Sequence, residues 1–416
     1  MSLRSSTWAT ATHASEEDRG HQEVSTTALD FFLALARLDK EEIWRVGMSP
    51  GSGRKVGQGA FAFAVICQMG PKQLVAVKRS LKLHGSLWVY QEQEFARHFK
   101  EFCLELRILL HDSLRSHENI INLKGIYEED VSGVPSLSLV LEYGDSGTLD
   151  YFLQNNSIQE EQFVLECIFQ LASGYEALHS LGICHGDVKT KNVLVVSNES
   201  RWVYKICDFG HAVVSSKIGD GSVQLSRGTE IYNAPEVRDM DGSAPSSFTI
   251  ADALLTDVYS FGFLVWEVLM QGEVYFKTIQ TPGLATPTSA TIHDLLKNLP
   301  QNKLLEYALS ATNTKDFPKS FKDLFGFLVQ GTLQYHPKDR MKMGAIKSGM
   351  SRNDDRLQSQ SFVDNSRGQI STPSTTQVKQ DVEHQEDTSG DTILSWTGEL
   401  SLFQVTFSSF GAKYNC

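Results

Sequence analysis

Cysteine is scarce and scattered in this 416-residue chain: Cys67, Cys103, Cys167, Cys184, Cys207 and Cys416 form no Cys-x-x-Cys pair. That spacing argues against a zinc site or a disulfide framework. It fits buried free thiols in a reducing compartment, hence the cytoplasm, with the nucleus also open. A long apolar run is missing too. The longest, Phe261 to Trp266, is interrupted by Gly262 and followed by Glu267, far short of the ~18 residues of a membrane span. Residues 1–20 lack the apolar stretch of a secretion signal. Positive charge is in deficit: 38 Lys and Arg against 50 Asp and Glu give a net charge of −12. Nucleic acid and anionic membrane are therefore disfavoured as main partners, while a nucleotide needs only local positive charge. No internal repeat is visible, and no feature sets an oligomeric state.

What is there is enough chain for two or three units and a large core. Residues 1–50 read as a polar extension with a short amphipathic helix between Ala28 and Trp44. From Gly51 to Val77 the text is glycine-rich, then alternating and β-branched, predicting two or three strands. Gln93 to His111 reads as a long helix with Phe95, Phe99, Phe102, Leu106 and Leu109 on one stripe. Strands are expected near Ile121 to Tyr127 and Leu137 to Tyr143. Helices follow at Gln162 to His179 and Val258 to Met270. The stretch from Tyr275 to Phe317 resists placement. The order of a strand-rich part followed by a helix-rich part predicts an α+β protein of two lobes with a cleft between them. Residues 51–143 would form the small lobe and 144–347 the larger one. Residues 348–416 are mostly a polar tail expected to be disordered. Within it, Thr392 to Phe410 regains apolar content, as a docking segment or a stray strand.

The chemistry concentrates in His185-Gly186-Asp187-Val188-Lys189-Thr190-Lys191-Asn192 and, sixteen residues after Asn192, in Asp208-Phe209-Gly210. Phosphoryl transfer needs this set. One carboxylate orients an attacking hydroxyl, a second carboxylate and an amide hold Mg²⁺, and a cation offsets phosphate charge. In isolation either aspartate is a surface turn; jointly, the spacing is specific. The two stretches resemble the catalytic loop and metal-binding triplet of protein kinases.

Further landmarks carry the same resemblance across residues 51–345. Gly57-Gln58-Gly59-Ala60-Phe61-Ala62 resembles the glycine-rich loop that lets backbone N–H groups approach phosphates. Val75-Ala76-Val77-Lys78 resembles the strand whose lysine grips the phosphates, with Glu105 of the next helix as its partner. His117-Glu118-Asn119-Ile120 resembles the link into the fourth strand. Leu139-Val140-Leu141-Glu142-Tyr143 resembles the strand entering the hinge.

The resemblance implies a protein-kinase-like fold, ATP and Mg²⁺ as cofactors, and transfer to Ser or Thr hydroxyls of protein substrates. It implies Asp187, Lys189, Lys78 and Glu105 as catalytic and Asn192 and Asp208 as metal ligands. The nucleotide pocket would be built from Gly57, Gly59, Phe61, Val65, Ala76, Lys78, Leu141, Glu142, Tyr143, Gly144 and Leu194. It also implies that Thr229 bonds toward Asp187 and Lys189, that Glu236 pairs with Arg340, that Asp257 braces the catalytic loop, and that His185 packs near Phe209.

Several positions depart from the pattern. Ala62 stands in place of the third glycine. Gly186 stands where the family has an arginine that binds a phosphorylated activation-loop residue, which points to an activation segment competent without phosphate. Met341 to Met350 looks too short for the family's closing helix. Two other readings share part of the pattern: a small-molecule phosphotransferase of the aminoglycoside-kinase type, and a catalytically weak pseudokinase that serves as a binding module.

Overall fold

The structure is a computed structural model. It describes residues 54–351 except 59–61, 70–72, 81–91, 132–133, 157–160, 199–200, 215–221, 226–227, 239–246, 278, 280–288 and 312–316. The chain divides into two units, 1–363 and 364–416, and every described residue belongs to the first. The helix expected between Ala28 and Trp44 and the segment from Thr392 to Phe410 lie outside the described residues.

The first half folds as an antiparallel sheet of order β1-β2-β3-β5-β4, from β1 (Arg54–Gln58), β2 (Ala62–Met69), β3 (Gln73–Ser80), β4 (Leu123–Val131) and β5 (Val134–Glu142). β-Branched alternation drives it, and the period of two sorts the side chains. Val65, Cys67, Val75, Val77, Tyr127 and Val140 make a core on one face. Ala76 and Lys78 point to the other, opposite Leu141 and Leu139 of β5. That second face meets α1 (Glu92–Leu109), whose Leu106 and Leu109 are buried as the apolar stripe predicts.

The second half is helical. Two short helices, α2 (Asp112–Arg115) and α3 (Leu149–Asn155), flank the passage out of the sheet, and α4 (Glu161–Ser180) follows. Three small β pairs come next. β6 (Ile183–Cys184) pairs with β9 (Val213–Val214), and β7 (Val193–Asn198) pairs with β8 (Arg201–Ile206). β10 (Ser222–Gln224) pairs with β11 (Ser247–Thr249). A one-turn helix α5 (Pro235–Arg238) precedes β11.

The centre of this half is α6 (Ile250–Leu269), buried at every position from Thr256 to Leu269. A helix apolar all round belongs in a core. It starts two turns before Val258 because Thr249 caps it: the Thr249 hydroxyl accepts from the Asp252 N–H at 3.2 Å. The stretch from Tyr275 to Phe317 holds α7 (Ser289–Asn298) and α8 (Lys303–Ala311), and α9 (Lys319–Thr332) follows.

One expectation is corrected here. The domain does close with a helix, α10 (343–351), which runs past the expected lobe end at 347. Its Met343, Ile346 and Met350 are buried. Their spacing of three, then four, is one helical face, and it was masked by the polar residues between them.

Candidate active site

The site is assembled from six segments that meet where the sheet and the helices join: β3, α1, the 185–192 loop, and the segments of Asp208, Thr229 and Asp257. β3 supplies Lys78. Its Nζ lies 2.9 and 2.8 Å from the two carboxylate oxygens of Glu105 and 2.8 Å from Asp208 Oδ1. Glu105 is 3% exposed, so it depends on the ammonium beside it. Burial works against the Lys78 charge, but Glu105 and Asp208 together hold its pKa above the ordinary lysine value. The Lys78 ammonium in turn holds the Asp208 carboxyl well below the usual carboxylate range. Asp208 sits at φ 68°, a left-handed conformation uncommon for any residue but glycine and a frequent mark of functional positions.

The catalytic-loop segment supplies Asp187, which is 7% exposed. Its Oδ2 accepts from Lys189 Nζ at 2.5 Å and Asn192 Nδ2 at 2.8 Å, and its Oδ1 accepts from the Thr229 N–H at 2.9 Å. Lys189 Nζ also donates to Thr229 Oγ1 at 2.6 Å. Burial raises the Asp187 pKa, but Lys189 and Thr229 outweigh it and leave the carboxyl below its ordinary value. Three donors on one carboxylate leave one lone pair for an incoming hydroxyl.

Asp257 of α6 braces this loop, accepting from the His185 N–H at 2.6 Å and the Gly186 N–H at 2.9 Å. His179 lies 3.1 Å from its Oδ2. The His185 ring packs against Phe209 with centroids 5.3 Å apart, and its Nε2 meets the Cys207 carbonyl at 3.1 Å. Glu236 pairs with Arg340 through two bonds of 2.6 and 2.8 Å.

Gly186 explains the missing arginine. Its φ is +75°, and a Cβ there would come within 2.4 Å of the His211 carbonyl. A Cβ on Gly228 would come within 2.3 Å of the Gly186 carbonyl. The backbone at 186 is thus gripped between His211 and Gly228, and a side chain at either glycine forces them apart.

The nucleotide positions divide. Ala76 faces Leu141, and Leu194 packs close to the Gly144 backbone, where an added Cβ would be 3.0 Å from Leu194 Cβ. Glu142 and Tyr143 lead the chain past this point. The Glu142 backbone N–H is spent on the Asn122 carbonyl at 2.9 Å, and its carboxylate is held by Lys205 at 3.1 Å. Gly57 lies in β1; Gly59 and Phe61 lie outside the described residues.

Val65 is a correction. It pairs with Val77 and belongs to the core on the far face, whereas Ala64 pairs with Lys78. With a period of two, a one-residue offset changes faces, so Ala64 is the residue beside the lysine. Cys207 is only partly buried, yet desolvation pushes its thiol above the usual range.

Sequence reasoning missed a buried acid. Glu267 is fully buried, its Oε2 accepts from Thr190 Oγ1 at 2.8 Å, and its Oε1 accepts from Tyr232 OH at 2.7 Å. A carboxylate inside the most apolar run of the chain was the available signal. Among the described residues no group of three or more His, Cys, Asp or Glu could hold a metal. Asp208 and Asn192 carry hard oxygen donors of the kind that Mg²⁺ accepts.

Residues 51–349 match the protein kinase domain family. The chain belongs to that family, and the strand-rich first half and helical second half are its α+β fold. Among relatives, a probable myosin light chain kinase of Dictyostelium discoideum is 32% identical over 44% of this chain and 48% of its own length. A mitogen-activated protein kinase kinase kinase of Caenorhabditis elegans is 31% identical over 41% of this chain and 29% of its own. Calcium-dependent protein kinase 2 of Arabidopsis thaliana is 28% identical over 61% and 38%. The chain spans less than half the length of each of these relatives.

Proposed function

We propose that this chain transfers the γ-phosphoryl group of ATP to Ser and Thr hydroxyls of proteins. The observation that carries the reading is the bond of 2.8 Å between Lys78 Nζ and Asp208 Oδ1, which links groups 130 residues apart. It brings the phosphate-gripping cation and the metal-binding carboxylate to one point. When bound, ATP supplies the transferable group and Mg²⁺ neutralises charge on its phosphates.

The chain's own residues do the rest. Asn192 and Asp208 would hold Mg²⁺, and Lys78, steadied by Glu105, would bind phosphate oxygens. Asp187 accepts the hydrogen bond of the acceptor hydroxyl and aims its oxygen at the γ-phosphorus. As the new P–O bond forms, the bond to the ADP oxygen breaks and the hydroxyl proton passes to the Asp187 side. A carboxyl with a depressed pKa is a weak base, which suits a loose transition state that asks mainly for positioning. Lys189 offsets the charge on the group in transit. Gly186, clamped by backbone, supports an activation segment that works without phosphate. Free thiols at five described cysteines support a cytoplasmic setting.

The test is transfer of labelled phosphate from Mg·ATP to a generic protein, in wild type and Asp208→Ala. Transfer by wild type alone supports the reading. Binding of Mg·ATP without transfer identifies a pseudokinase, and transfer only to a small hydroxylated or aminated compound identifies a small-molecule phosphotransferase.

A further inference from the structure

A cleft in the helical half shares no residue with the site described above. Its volume is about 350 Å³, within the range of clefts that hold ligands. One wall is the end of α3, with Gln154 and the capping residue Asn156. The other is the turn that leaves α6, with Gln271, Glu273 and Lys277. Leu153, 6% exposed, supplies apolar surface between them.

The walls are held in place by the carboxamides themselves. Gln154 Nε2 donates to the Gly272 carbonyl at 2.7 Å, which ties the turn to α3, and Asn156 Nδ2 donates to the Phe152 carbonyl at 2.8 Å. Each amide spends an N–H on the fold and keeps its oxygen as an acceptor. Gln271 sits at φ 56°. Glycine is the usual residue for this conformation at a helix end, and a larger residue held there is a frequent mark of a functional position. Glu273 and Lys277 are exposed, and no ion pair holds either side chain among the described residues. The rim therefore offers one free charge of each sign.

We propose that this cleft is a second contact for the acceptor protein, taking an extended segment of mixed charge remote from the hydroxyl that receives phosphate. The inference rests on the kinase reading above and deepens it. Continuity with the acceptor side favours this occupant. The turn Tyr275–Lys277 stands on that side, because the Tyr275 hydroxyl donates to the Ile231 carbonyl, two residues after Thr229. Gln271 lies one helical turn beyond Glu267, which bonds Thr190 of the catalytic loop. A polypeptide that presents its hydroxyl to Asp187 can thus run on to the cleft. The chemistry favours an extended chain. Its unpaired backbone N–H groups match the free oxygens of Gln154 and Asn156, whereas a helix has already spent its own. A basic side chain of the segment meets Glu273, and an acidic one meets Lys277. Charges on an open rim are worth little each, so the effect falls on the acceptor KM and leaves kcat alone.

Dephosphorylated casein is the probe, beside a peptide of roughly nine residues centred on the casein serine that wild type labels, too short to span both places. Both are assayed with wild type, Glu273→Lys, Lys277→Glu and the exchange E273K/K277E, which preserves net charge. The casein KM is expected to rise about threefold or more in all three variants, while kcat and the short-peptide KM stay within about twofold. An unchanged casein KM overturns the proposal. So does an equal rise for casein and the short peptide, which would place the effect at the active site. Hydrogen exchange without ATP gives a readout independent of transfer. Casein should slow exchange in segments 153–156 and 270–277 of wild type and not of the exchange variant, and the short peptide should slow neither. Absence of slowing at saturating casein overturns the proposal. Slowing by casein in a wild type that transfers no phosphate sinks the kinase reading and supports the cleft. Transfer with no slowing does the reverse.

Discussion

Thr229 grips both working groups of the catalytic loop at once: its N–H donates to Asp187 Oδ1 at 2.9 Å, and its hydroxyl accepts from Lys189 Nζ at 2.6 Å. Removing only the hydroxyl, with Thr229→Val, keeps the backbone bond and frees the lysine. The expected outcome is a fall in kcat of roughly tenfold, the worth of one charge-assisted bond, with ATP binding unchanged. Thr229→Ser should retain most of the rate. Steady-state kinetics on both variants check this, and equal losses would count against it.

Lys78 and Glu105 are separable by a double variant. Lys78→Met leaves a nearly fully buried carboxylate without its cation and is expected to lower Tm by several degrees. Adding Glu105→Gln removes the stranded charge and should bring Tm back. Transfer activity should stay at background in both, because the phosphate-binding cation is gone. Calorimetry beside the transfer assay distinguishes the two roles. A double variant as unstable as the single would contradict the account.

Arg340 is a heavily bonded cation of the helical half. Its side chain is fully buried, holds Glu236 in two bonds, and donates to the carbonyls of Gln334, Leu255 and Tyr335. Arg340→Ala is predicted to cost about 3–5 kcal/mol, read as a shift in the denaturation midpoint. Arg340→Lys should recover little, since an ammonium cannot reproduce the planar fork.

The clamp at Gly186 makes a prediction opposite to the one an arginine there would make. Gly186→Arg meets the His211 carbonyl and a left-handed backbone, so kcat should fall by about tenfold or more and no dependence on phosphate should appear. Ser222→Ala, at an exposed position of β10, should keep wild-type activity, as should phosphatase treatment. A strict need for phosphate at Ser222 or Ser226 would overturn it.

Glu267 also predicts how stability varies with pH. Its folded pKa, about 7, lies above the ordinary 4.5. The stability it contributes is complete below that ordinary value and is lost as pH rises through about 7. Relative to the non-titrating Glu267→Gln variant, wild type should lose about 3 kcal/mol between pH 4.5 and pH 8. Denaturant titrations at a series of pH values measure it, and a constant difference would contradict it.

Local pattern carried much of this molecule. Periodicity of two placed the strands around Lys78, and apolar spacing placed α1 and α4. The offsets among Asp187, Lys189, Asn192 and Asp208 pointed to the protein kinase family, because loop chemistry demands fixed residue types at fixed separations. Pattern failed where register or long-range packing decides. Val65 and Ala64 differ by one position and by one whole face of the sheet. The closing helix hid behind polar residues, and α7 and α8 hid in a stretch of mixed composition.

What the amino-acid order determined alone is which groups are available and how far apart they sit along the chain. Only the tertiary structure decided that Lys78 would meet Asp208, that the Gly186 backbone would be held between His211 and Gly228, and that Glu267 would bind two hydroxyls from separate segments. The physical reason is distance along the chain. These contacts join residues tens to more than a hundred positions apart, and their geometry is set by how the sheet and α6 pack rather than by neighbouring residues.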